Sequence, residues 1–172
     1  MGRVILAVFG SMALAVVLAG NAIAWTDNIK KDQDVNTVCK FEPGGQCTGA
    51  VRIGINLEGV DMSNASMTTM RLDKANLRRA NLSGAILQLS NLKGADLTLA
   101  NLERAHLHAV NLRGANLMLA NLTKASLLDA DLRGANLTGA NLTDAILIKA
   151  RFGNAIWTDG RVCAEGSVGE CR

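Results

Sequence analysis

The chain has 172 residues, enough for one compact unit. It holds 25 Ala, 24 Leu and 15 Asn but no Tyr and only 3% aromatic residues, and with 49% hydrophobic content it has too much apolar material for a disordered tail. This bias speaks against an ordinary enzyme domain, and a formal net charge of +3 is too small to imply a nucleic-acid partner.

Residues 1–24 read as a secretory signal peptide. Met1, Gly2 and Arg3 make a short positive start, Val4 to Ala19 is an apolar run broken only by Gly10 and Ser11, and Ala22, Ile23, Ala24 form a small-residue cleavage pattern. The alternative, a retained anchor, needs about 20 apolar residues and no cleavage pattern. The mature chain would begin at Trp25 with a net charge of +2, since Arg3 is the only charged residue removed. No twin-arginine pair is present, so export by the general secretory route is expected. Residues 25–54 then form an N-terminal cap, with a short helix expected from Thr26 through Val35.

From Ile55 to Asp159 the sequence repeats every five residues. Stepping from Leu57 to Trp157 gives 21 positions, of which 17 are Leu and the others Met62, Met67, Phe152 and Trp157. Two residues before each stands Ala at 16 of the 21 units, and the residue between is Asn or Asp in 13. A helix cannot use this spacing, because five residues turn about 500° and smear the leucines over every face. A long strand fails too, because its period is two and five is odd. What fits is a short extended step, with Ala and Leu inward and the middle residue outward, followed by a corner. Glycines such as Gly134 supply backbone freedom there. The single proline, Pro43, precedes the repeats, as amides paired between stacked coils require.

In these residues the chain closely resembles the pentapeptide-repeat proteins, whose motif is Ala, Asp or Asn, Leu and two variable residues. The resemblance spans residues 55–159 and implies an all-β fold, a right-handed quadrilateral β-helix with 20 residues per coil. The 21 units then make about five coils, some 25 Å long. An independent check supports four sides. Ser66, Ile86, His106, Ser126 and Ile146 depart from Asn or Asp at intervals of 20 residues, so one whole side lacks the usual amide. Arg71 and Arg151 end a second column, with Asn91, Asn111 and Asp131 between them.

These columns define candidate surfaces. On the first side Ile86, His106, His108, Leu128, Ile146 and Ile148 build an outward patch more apolar than its neighbours, a candidate partner-binding face. On the next, Lys93, Arg113 and Arg133 stack in a basic column that meets an anion or is relieved by acids such as Asp131. His106 and His108 fall short of the three or four ligands of a dedicated zinc site. The neighbours Gln88, Ser126 and Leu128 add no obvious third. No metal, no cofactor and no catalysis are expected, since neither a nucleophile, histidine and acid constellation nor a phosphate-cradling glycine motif occurs. Met62, Met67, Met70, Phe152 and Trp157 read as packing at the two ends of the stack.

The four cysteines lie outside the repeats, and Cys39 with Cys47 and Cys163 with Cys171 sit at opposite ends of a stack too long for any bond between the pairs. Two local disulfides are expected, as suits an oxidising compartment. Because exposed strand edges would template association, residues 25–54 and 160–172 should cap the two ends and leave a monomer. The expected function is that of an exported, noncatalytic binding or scaffold module of the periplasm or thylakoid lumen, with a protein or membrane-associated partner and no nucleic acid. The alternative is DNA mimicry directed at gyrase, as in some members of the resembled family. Such mimics are acidic, whereas residues 55–159 carry 11 basic and 9 acidic side chains.

Overall fold

The computed structural model describes residues 38–172, so the expected signal peptide and the expected helix from Thr26 through Val35 lie outside the described residues. Each repeat folds in the same way. In the unit beginning at Ala75, Ala75 and Leu77 are fully buried, and Asn76 between them pairs with the coils below and above. A turn follows, closed by the Ala80 N–H donating to Leu77 O at 3.1 Å, with its third residue, Arg79, at φ 55°. Positive φ at that place is the mark of a type II turn. The turn-closing bond recurs in every unit from Val60 to Ala155.

Four such corners close one coil. Parallel bridges join residues 20 apart, from Gln46 with Ser66 to Asn136 with Ile156. The Leu77 and Arg79 amides donate to Asp96 O at 2.7 Å and Thr98 O at 2.9 Å in the next coil, while the Asn76 amide donates to Ile55 O at 2.8 Å in the previous one. Inside, Ala and Leu columns stack into a core with almost no solvent contact. Met62, Met67 and Met70 are fully buried in its early coils. Phe152 and Trp157 meet edge to face at its end, with ring centroids 5.0 Å apart.

The coil begins earlier than the boundary at residue 55 read from the sequence. Gly44 already has φ 69° and donates to Ser63 O at 2.8 Å, and Gln46 and Val51 pair with Ser66 and Arg71. Cys47 and Arg52 occupy inward leucine positions there, which hid the repeat. Both expected disulfides are present, Cys39–Cys47 with Cα atoms 4.4 Å apart and Cys163–Cys171 with 4.9 Å.

The C-terminal segment folds back over the last coil, where Val162 and Val168 pair antiparallel with Ile156 and Arg151. It thus lies on the end of the stack, over the strands at Arg151 and Ile156, two of the four sides of the last coil.

Candidate functional site

Four outward surfaces follow from the 20-residue register: a histidine side (Ser66, Ile86, His106, Ser126, Ile146), an arginine side (Arg71, Asn91, Asn111, Asp131, Arg151), a third side containing Asn76, Asp96 and Asn116, and a fourth containing Asn81, Asn101 and Asn121. The usual Asn or Asp does more than face water. Its side-chain oxygen accepts the N–H two residues on, as Asn121 Oδ1 does from Thr123 N at 3.1 Å and Asn81 Oδ1 from Ser83 N at 3.2 Å. This is the one amide of the unit that main-chain pairing does not use. The same side chains also bond up the column: Asn121 Nδ2 donates to Asn101 Oδ1 at 3.2 Å, and Asn81 Nδ2 to Asp61 Oδ1 at 2.9 Å.

The histidine side breaks this rule over four consecutive coils. Ile86, His106, Ser126 and Ile146 make no such bond, so the amides of Gln88, His108, Leu128 and Ile148 have no protein acceptor among the described residues. Beside them Ile86 is 36%, Ile146 47% and Ile148 61% exposed, His106 and His108 are exposed, and Leu128 is half-buried. The structure thus brings together all six residues picked out on this side. It adds Leu89, 63% exposed at the adjoining corner with φ 59°, a conformation that costs an L residue about 1–2 kcal/mol. The cue in the sequence was a leucine where glycine often stands. It also adds an acid, because Asp129 Oδ2 lies 3.7 Å from His108 Nε2. No group of three or more His, Cys, Asp or Glu that could hold a metal occurs among the described residues.

The basic column is in register but not uniform. Arg133 bonds Asp131 through two nitrogens at 2.8 and 2.6 Å, and Arg151 approaches the same carboxylate at 3.4 Å. The Arg133 hydrogen bonds, which outweigh burial, hold the Asp131 carboxyl below the usual carboxylate range, and the Arg133 guanidinium is raised in turn. Lys93 and Arg113 remain exposed, each with its own N–H capped by an asparagine on the same side. The outcome is that Arg133 is paired with Asp131 while Lys93 and Arg113 make no ion pair among the described residues, a weaker anion site than the column suggests.

A profile of pentapeptide repeats matches in eight copies over residues 46–79, 53–89, 70–98, 100–139 and 125–156. Among solved structures, a pentapeptide repeat protein from the cyanobacterium Cyanothece 51142 is 34% identical, with a TM-score of 0.53, over 62% of this chain and 90% of that one. A pentapeptide repeat protein of the Arabidopsis thaliana thylakoid lumen is 30% identical over 69% of this chain and 84% of that one, with a TM-score of 0.39. QnrB1, a plasmid-mediated fluoroquinolone resistance protein, is 18% identical over 66% of this chain and 65% of that one, with a TM-score of 0.45. No curated protein matches the chain. The family match and the likeness to the Cyanothece structure imply a right-handed β-helix for the solenoid.

Proposed function

This chain belongs to the pentapeptide-repeat family, and we propose that it is a noncatalytic docking module that holds a protein or membrane-associated partner against its histidine side. One observation carries this reading: over four coils that side gives up the amide lock of the others, so that main-chain N–H groups stand unclaimed beside exposed aliphatic side chains. An unclaimed donor in water costs little, but within a contact it needs an acceptor. Such a surface selects partners that offer acceptors interleaved with apolar groups, and the two histidines add sites that can change charge.

The working place of the module is an exported, oxidising compartment, periplasm or thylakoid lumen. The pattern of residues 1–24 and the two local disulfides support this. Mimicry of DNA gains nothing from the arginine side, whose outward residues include Arg71, Lys93, Arg113 and Arg151.

The test replaces Ile86, Leu128 and Ile146 by Thr together. Unfolding should stay cooperative with a midpoint near that of the parent, because no inward column is touched, while capture of the partner from native extract should fall at least tenfold. A matched change on the third side, Asn116→Thr with Met118→Thr, should leave capture unchanged. Capture that survives the triple substitution would refute the assignment of the side.

A further inference from the structure

The solenoid is electrically two-faced. Over residues 55–159, the histidine and arginine sides, with the corner that leads into the first and the corner they share, carry eight basic and four acidic side chains. The third and fourth sides, with the corresponding corners, carry three and five. The apolar patch therefore belongs to the positive half. Arg104 and Lys124 stand exposed at the corner leading into the histidine side, and Lys149 at the corner shared with the arginine side. Two acids interrupt this rim: Asp129 lies beside His108, and Asp144 follows Lys124 in its corner column. Between the rims Ile86, Leu89, Ile146 and Ile148 are exposed, and every one of them is aliphatic.

An aliphatic centre within a cationic rim has the build of an interfacial membrane contact. We propose that the histidine side rests on a bilayer of anionic lipid. Ile86, Leu89, Ile146 and Ile148 then enter the boundary between headgroups and acyl chains, while Arg104, Lys124 and Lys149 meet the lipid phosphates. The proposal names the membrane-associated partner of the reading above and rests on that reading. Each Lys or Arg held at an anionic surface raises partitioning about fivefold, so the three rim cations outweigh the two acids only on a charged bilayer.

The unclaimed amides separate this occupant from a protein strand. Gln88, His108, Leu128 and Ile148 recur once per coil, about 4.8 Å apart, whereas a strand laid along the stack offers acceptors on one side only at every second residue, about 6.6 Å apart. The two rows fall out of register within a few coils. Phosphate and ester oxygens of separate lipids move independently, so each amide finds its own acceptor. The side chains point the same way, because protein contacts are anchored chiefly by Trp, Tyr and Arg, whereas a fluid acyl layer accepts aliphatic groups of any shape.

Cosedimentation with vesicles tests the proposal, using the protein as its native host exports it, both disulfides intact. Partitioning on the order of 10⁴ M⁻¹ is expected on equal parts of phosphatidylglycerol and phosphatidylcholine, and about tenfold less on phosphatidylcholine alone. Arg104→Glu with Lys124→Glu should weaken binding to the mixed vesicles about twentyfold or more, and Leu89→Ser with Ile148→Ser about tenfold. Leu99→Ser with Leu119→Ser is the control, since these leucines are 42% and 55% exposed at the diagonally opposite corner and should not matter. Amides of Gln88, His108, Leu128 and Ile148 should exchange more slowly with mixed vesicles present, while Met118, whose amide Asn116 already holds, keeps its rate. Absence of vesicle binding, with capture of a protein still lost when Ile86, Leu128 and Ile146 become Thr, would overturn the lipid assignment and leave docking on this side standing. Binding that follows Leu99 and Leu119 would overturn both. Binding that ignores Leu89 and Ile148 but is lost on Lys93→Glu with Arg113→Glu would overturn the proposal too, since the arginine side alone would then be the contact.

Discussion

Replacing Gly153 with Ala should detach the C-terminal cap and leave the coils beneath it intact. Gly153 is buried under the turn at Glu165, and a Cβ there would enter the shell of the Glu165 carbonyl oxygen and stand 3.0 Å from its carbon. Both are main-chain atoms, so no change of rotamer relieves the clash. The carbonyl must retreat by on the order of an ångström. Two bonds flank it, Phe152 N to Ser167 O at 2.9 Å and Asn154 N to Cys163 O at 3.0 Å. At about 1 kcal/mol net for each, their loss amounts to about 2 kcal/mol, or roughly a 30-fold larger opening constant for the cap. Amide exchange resolved by residue is the assay, and Phe152 and Asn154 should lose protection by that factor while Leu107 keeps its own. Gly134→Ala is the contrast. Nothing lies within 4 Å of a Cβ there, but φ is 67°, so its cost of about 1 kcal/mol should be backbone strain spread through its coil. Unchanged exchange at Phe152 and Asn154 in the Gly153 variant would refute the placement of the cap.

Asp131→Asn should flatten the acid response. The carboxyl is depressed in the fold by the Arg133 hydrogen bonds, so its contribution to stability is complete above about pH 4 and is lost as the pH falls through the lower folded value; the variant's urea midpoint should fall less than the parent's between about pH 4 and 2. Reducing Cys163–Cys171 removes a constraint on a loop eight residues in sequence separation, about 2 to 3 kcal/mol on the chain-entropy account. Trypsin should then cut after Arg161 before it cuts any coil, and simultaneous cutting throughout would contradict a separable cap. Leu107→Ala, in a wholly enclosed column, should cost about 3 kcal/mol by urea unfolding, and a cost under about 1 kcal/mol would contradict that enclosure.

The body of the fold was legible because its physics repeats. A five-residue spacing excludes helix and long strand, and departures at Ser66, Ile86, His106, Ser126 and Ile146 exposed the four-sided period without any coordinates. Identity failed where geometry is indifferent to it. Cys47 and Arg52 turn inward at leucine positions, and a pattern read by Leu and Ala passed over them. Leu89, Leu99 and Leu119 hold left-handed corners at φ 57–60° that glycine would normally announce. The sequence also showed which side lacked asparagine, but not what asparagine does. Its side-chain oxygen claims the fourth amide of its own unit, so losing it on the histidine side changes the main chain's offer to a partner as well as the side chain's. The acid beside His108 was missed because Asp129 belongs to a corner, one residue beyond the face from which neighbours were drawn.

The most direct measurement of the account is site-specific photocrosslinking in the native host, with the probe at Leu128 on the histidine side or at Met118, the corresponding position on the third side. The two sites are both half-buried and lie two units apart in the stack, so folding and probe exposure are matched. The expected result is a discrete adduct to one partner from position 128 that is absent from position 118 and disappears when Ile86 and Ile146 are changed to Thr. Equal adducts from both positions, or adducts from position 118 alone, would contradict docking on the histidine side.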